Sequence, residues 1–154
     1  MAESIVERIA VWIEGAIDGV QDPGKTLILR AVRPKILDWQ AEDFKHGDVI
    51  MELIHQGTSS KTTSSRNELA EWRLYGIITI LPANTAADTV LSRMAETIRK
   101  TLLSGNQRGQ ACGGLAKNID CPEVIYSIMS GGVVAEVTCQ ITYVTALADG
   151  YKQS

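Results

Sequence analysis

One stretch of this chain matches a chemical motif letter for letter. Gly19-Val20-Gln21-Asp22-Pro23-Gly24-Lys25-Thr26 has the spacing G-x-x-x-x-G-K-[ST] of a phosphate-binding loop. That chemistry needs backbone amides curled round the phosphates, a lysine reaching their outer oxygens and a hydroxyl holding magnesium. It also needs a buried strand before the loop and a helix after it. Here the order is reversed: an amphipathic pattern precedes the loop, and an apolar run stopped by Pro34 follows it. We expect a Gly/Pro turn from helix into strand, with a small nucleotide-binding protein using Lys25 and Thr26 as the alternative.

The other reactive residue types form no constellation. Cys112, Cys121 and Cys139 are odd in number and lack the spacing of a metal knuckle, and His46 and His55 are not their neighbours in sequence. Packed, reduced thiols are expected, with the histidines on turns or surfaces. Glu52, Glu71 and Glu136 read as strand carboxylates on solvated faces, and Trp12, Trp39 and Trp72 as core anchors too far apart in sequence for a stacking platform. We therefore assign no catalytic residue, no cofactor and no metal. Lys61 and Arg66 differ, being the only charges in the polar run Gly57–Asn67, which suits contact with a phosphate backbone or an acidic partner surface.

Those residues must be carried by a single domain, because 154 residues make one core and not two. A hydrophobic share of 45% excludes a disordered chain, and the apolar runs are too short to span a bilayer. A net charge of −3 leaves no overall footprint for wrapping nucleic acid. The acidic start Met1–Glu7 is unlike a signal peptide, so a soluble, non-secreted protein is expected.

Glu3–Asp18 places Ile5, Ile9, Trp12, Ile13, Ala16 and Ile17 on one helical face, with Ser4 and Glu7 as a capping box and Gly19 as the exit. Three strands follow, over Thr26–Val32, Val49–His55 and Glu71–Leu81. The segment 57–67 has no apolar residue and is expected to be a mobile hairpin tip. Thr85 and Asp88 repeat the capping-box pattern before the stripe Leu91, Met94, Ala95, Ile98 and Leu102, which Glu96 and Lys100 support as an i,i+4 pair and Gly105 ends. Residues 105–122 form a Gly-rich linker.

Alternation from Val133 to Leu147 is the clearest strand signal, and Gly131-Gly132 reads as its hairpin turn, pairing Ser130 with Val133 and Tyr126 with Val137. A straight strand of that length runs about 50 Å, against a globule diameter of roughly 40 Å. We expect its end to pack on another subunit. Residues 148–154 read as a polar tail. The fold class is α+β, a mainly antiparallel sheet in the order α-β-β-β-α-β-β flanked by two helices.

That order, the Ser/Thr-rich tip between two central strands, the run Trp72-Arg73-Leu74-Tyr75-Gly76-Ile77-Ile78-Thr79-Ile80 leading into Ala86-Ala87-Asp88 and a helix, and the long closing strand together resemble the tail-terminator, or tail-completion, proteins of long-tailed bacteriophages. The resemblance covers Ile5 to Leu147 and lies in topology and length, not in fixed motif residues. It implies a non-enzymatic virion protein assembled in the host cytoplasm: a ring, commonly a hexamer, on the head-proximal end of the tail tube. Such a ring stops polymerisation, joins the tail to the head connector, passes DNA through its lumen and touches no membrane. Lys61 and Arg66 would be the candidates for the tube or lumen contact. Another tail or neck structural protein of similar fold is the nearer alternative, and a free-standing ligand-binding domain a further one.

Overall fold

The computed structural model describes residues 3–24, 27–35, 38–81, 85–104 and 111–153. The chain begins with α1 (Ile5–Ile17), whose capping box is formed: Glu7 N–H donates to Ser4 Oγ at 3.2 Å, and Ser4 N–H donates to Glu7 Oε2 at 2.6 Å. The Ser4 backbone and hydroxyl hold the Glu7 carboxyl below its usual range. Ile5, Ile9, Ala10, Ile13 and Ile17 form its buried stripe, and Gly19, at φ +83°, turns the chain out through the left-handed region.

The first strand is shorter than expected. β1 spans Arg30–Val32. Gly19 N–H donates to Leu29 O and Leu29 N–H to Val20 O, each at 2.8 Å, so the backbone before Arg30 is spent on the loop it leaves. The second and third strands are longer, β2 spanning Asp48–Lys61 and β3 Ser65–Ile78. The expected mobile tip thus narrows to Thr62–Ser64. Ser and Thr sustain this ribbon through side-chain bonds instead of apolar burial: Asn67 Nδ2 donates to Ser60 Oγ at 2.7 Å and Ser65 N–H to Thr62 Oγ1 at 3.0 Å. β3 stops at Ile78 because the N–H groups of Thr79 and Ile80 turn to His46 Nδ1, at 3.1 and 3.2 Å.

α2 (Ala87–Leu103) buries Val90, Leu91, Met94, Ala95, Ile98 and Leu102. The expected cap of Thr85 with Asp88 does not form. The N-cap position falls on Ala86, which has no side-chain acceptor, and Asp88 lies in the first turn near the positive end of the helix dipole. Glu96 pairs with Arg99 at 2.9 Å and not with Lys100. Gly105 and residues 106–110 lie outside the described residues. Past a short 3-10 turn (Ala111–Gly114), the rest of the expected linker is largely strand.

β4 (Asn118–Met129) and β5 (Gly132–Ala146) form the predicted hairpin, two residues out of the predicted register. Met129 faces Gly132, Tyr126 faces Ala135 and Val124 faces Val137, so the turn is Ser130-Gly131. A two-residue slip keeps every side chain on its face. Gly131 is fixed there by φ +88° and by Glu42, whose Cβ would lie 2.7 Å from a Cβ at this position, while Glu42 N–H donates to Ser130 O at 3.0 Å.

The expected polar tail contains a strand, β6 (Asp149–Gln153), paired with Thr145 and Ala146 of β5. The sheet order is β1-β2-β3-β5-β4, with β6 joining β5 beside β4; β1 and β2 are parallel and every other pair antiparallel. The far end of β5 is therefore covered by its own chain. Tyr143 and Thr145 are buried in a cleft bordered by Ser4, Val6, Gly150 and Tyr151.

One face of the sheet carries the main core, where Trp72, Leu74, Val137, Cys139 and Ile141 meet α1 and α2. Gly76 lets α2 approach closely, because a Cβ there would lie 2.7 Å from Met94 Cγ. The other face has a smaller cluster at one end, of Trp39, Ala41, Ile50, Tyr75, Ile77 and Val134. Trp39 meets the rings of Tyr75 and Phe44 edge-on at 5.0 and 5.5 Å. The described residues thus form an α+β arrangement of one sheet and two α-helices.

Candidate functional site

Lys61 and Arg66 are cross-strand partners at the ribbon end, so the ladder brings the two candidate contact residues together. Their side chains part company. Lys61 is exposed and makes no ion pair among the described residues, whereas Arg66 turns inward, its Nε 3.2 Å from Oε1 of the buried Glu68. Thr58 Oγ1 donates to the same oxygen at 2.9 Å. The guanidinium thus compensates a buried carboxylate.

The phosphate-loop letters sit between α1 and β1, the reverse of the order that chemistry needs. Lys25 and Thr26 lie outside the described residues. Val20, Gln21 and Pro23 border a cleft of about 660 Å³ against Arg93, Thr97 and Lys100, on the flank of α2 and away from its N-terminus. Thr97, Thr101 and Ser104 already donate to helix carbonyls at 2.7–3.0 Å.

Glu52, Glu71 and Glu136, which show no pattern in sequence, converge on the sheet face opposite the helices. Arg73 lies among them: Glu52 is its cross-strand neighbour, and Glu136 Oε1 is 3.4 Å from Arg73 Nη1. Glu71 accepts from Gln140 Nε2 at 3.3 Å, and Glu52 accepts from Trp39 Nε1. A bond with Tyr75 and the nearby carboxylates raise the Arg73 pKa, and burial raises that of Tyr75. Strand register makes this cluster, and register needs the bulge between Leu53 and His55 that no sequence signal marks.

The three cysteines are buried free thiols. Burial pushes Cys112 up to about 12, and Cys139 is raised well above its ordinary value by donating to Cys121. That bond lowers Cys121. Among the described residues no group of three or more His, Cys, Asp or Glu side chains is arranged to hold a metal ion, and no helix is long and apolar enough to cross a membrane.

The feature the sequence hid is at the sheet edges. Among the described residues, β1 covers β2 only at Asp48–Ile50, which leaves Met51–Lys61 with an unpaired edge, and β4 pairs with β5 alone. Both edges expose apolar side chains, Leu53 and Ile54 on β2 and Ile125, Tyr126 and Ile128 on β4; Ile128 is 87% accessible. Tyr126 and Ile128, expected on a covered face with Val124, lie beyond the helices' reach. A signal was present: Val124-Ile125-Tyr126 breaks the alternation of a half-covered strand. No protein-family profile matches the chain, and no curated protein matches it significantly.

Proposed function

We propose that this chain is a virion structural protein, a ring-forming tail terminator that caps the head-proximal end of a phage tail tube. It stops tube polymerisation and joins the tail to the head connector, with DNA passing through the lumen. The observation that carries this reading is the pair of unlike open sheet edges at opposite sides of one domain. A subunit with two different sticky sides associates head to tail, and head-to-tail contacts close into rings or run on as filaments. Exposed edges with apolar side chains are otherwise an aggregation hazard.

The surface charge suits the same role. The open sheet face sets three carboxylates against one guanidinium, and such a surface turned to the lumen lets a phosphate backbone slide without gripping it. Lys61 is the free cation of the ribbon and the better candidate for the tube contact, because Arg66 is engaged by Glu68. Electron microscopy of particles carrying a tagged chain tests the placement. Label confined to the junction of head and tail supports it, and label repeated along the tube or absent from the particle rejects it.

A further inference from the structure

We propose that Cys121 and Cys139 form a reversible disulfide that staples β4 to β5, made by exchange with a low-molecular-weight disulfide and undone by a thiol. The staple does not depend on the ring reading. Cys121 lies in β4 and Cys139 in β5, on the face of the sheet that meets the helices, and both side chains are wholly buried in the main core. Register brings them together. Asp120 faces Gln140 and Glu123 faces Thr138, so Cys121 and Pro122 share the stretch of β4 opposite Cys139. Because the hairpin turns on Ser130-Gly131, Met129 and Gly132 are a hydrogen-bonded pair and the even-numbered residues of β5 bond to β4; Lys117 N–H, donating to Thr142 O at 2.8 Å, keeps that order beyond the bulge. Cys139 therefore meets β4 at a site without main-chain bonds, where facing side chains come closest and a cross-strand disulfide fits.

The thiols are already partners. Cys139 Sγ donates to Cys121 Sγ, which favours the Cys121 thiolate, and the Arg99 guanidinium acts in the same direction. Cys121 is thus the attacking sulfur. Its thiolate displaces one thiolate from a disulfide such as oxidised glutathione and forms a mixed disulfide with the other half. Cys139 then gives up its proton, attacks Cys121 Sγ and expels the second glutathione thiolate. Two electrons pass from the cysteine sulfurs to the glutathione, and the two thiol protons are released. Cys112 is the third thiol of this core, but it sits on the turn Ala111–Gly114 instead of the hairpin, and burial holds it protonated.

Access comes through the weakest point of the ladder. Among the described residues β4 is an edge strand, its register shifts between Asp120 and Glu123, and Pro122 has no N–H to give. Opening the strand there costs least and uncovers Cys121 beside the bulge. Once closed, the bond ties the two ends of the segment 122–138, which contains the whole hairpin turn, and raises the folded-to-unfolded ratio by roughly a hundredfold.

The test uses the full chain, fully reduced and then exposed under native conditions to oxidised glutathione. Intact mass should fall by two hydrogens, the thiols titrated after unfolding should drop from three to one, and a non-reducing peptide map should join the Cys121 peptide to that of Cys139. The urea midpoint should rise, and return to its starting value with dithiothreitol. Cys112→Ala should oxidise as wild type does. Cys121→Ala and Cys139→Ala should not close the bond, and Cys139→Ala should stop at a glutathione adduct on Cys121. Circular dichroism checks that the variants are folded; should one fail to fold, the wild-type map alone decides. Three free thiols in the native chain while a urea-unfolded control oxidises, a bridge that includes Cys112, a bridge between chains, or a glutathione adduct that persists on wild type would each overturn the staple.

Discussion

His46 carries one end of the sheet through a single ring nitrogen. Its Nδ1 accepts two backbone N–H groups, which only the form unprotonated at that nitrogen can do, and burial lowers its pKa below the ordinary 6.5. A base with a lowered folded pKa contributes stability that is fully present above its unfolded value and is lost as pH falls through that value toward the folded one. Thermal melts from about pH 7.5 to about pH 5.5 should therefore fall more steeply for wild type than for His46→Gln, whose amide oxygen accepts without titrating. Parallel profiles would refute this role. Little of it was legible beforehand. A histidine before Gly47-Asp48 reads as a turn residue, and only the folded chain brings the amides 33 and 34 positions away onto its ring. The cysteines were easier, because small apolar thiols on a strand of strict alternation, such as Cys139, belong to the core by parity alone.

At the scale of elements, patterns of local origin were readable and those set by contact were not. The α1 stripe, its Ser4–Glu7 box and the alternation of β5 depend on residues within a few positions of one another. The register of β4 on β5 depends instead on Glu42, far upstream, which fits only against Gly131. β6 and the polar ribbon escaped notice because their stability comes from ladder bonds that composition does not report. The missing cap of α2 yields a direct prediction. Ala86 is exposed and extended, with φ −66° and ψ 143°, a backbone that a capping side chain adopts without strain. Ala86→Ser or Ala86→Asp should stabilise the protein by about 1 kcal/mol, read as a higher urea midpoint at unchanged slope. An unchanged or lower midpoint would mean that the helix start is already satisfied by another group.

At the scale of the whole molecule, the described residues form one sheet with its helices on one face, an acidic open face, and a long unpaired edge at each side. The sequence conveyed the class of this fold but led to the expectation of a subunit contact at the far end of β5. That end is covered by Ser4, Val6 and β6, while the uncovered apolar side chains line β2 and β4. The reason is physical: strand length can be read from alternation, whereas which edge remains unpaired depends on sheet order. An assembly subunit that terminates a tube has a phenotype distinct from that of a tube subunit or a head-completion protein. The most direct measurement is the distribution of tail lengths, by electron microscopy, in particles made without this chain. The account predicts overlong tubes of variable length, unattached to heads. Tails of normal length, whether joined to heads or free, or the absence of tubes altogether, would contradict it.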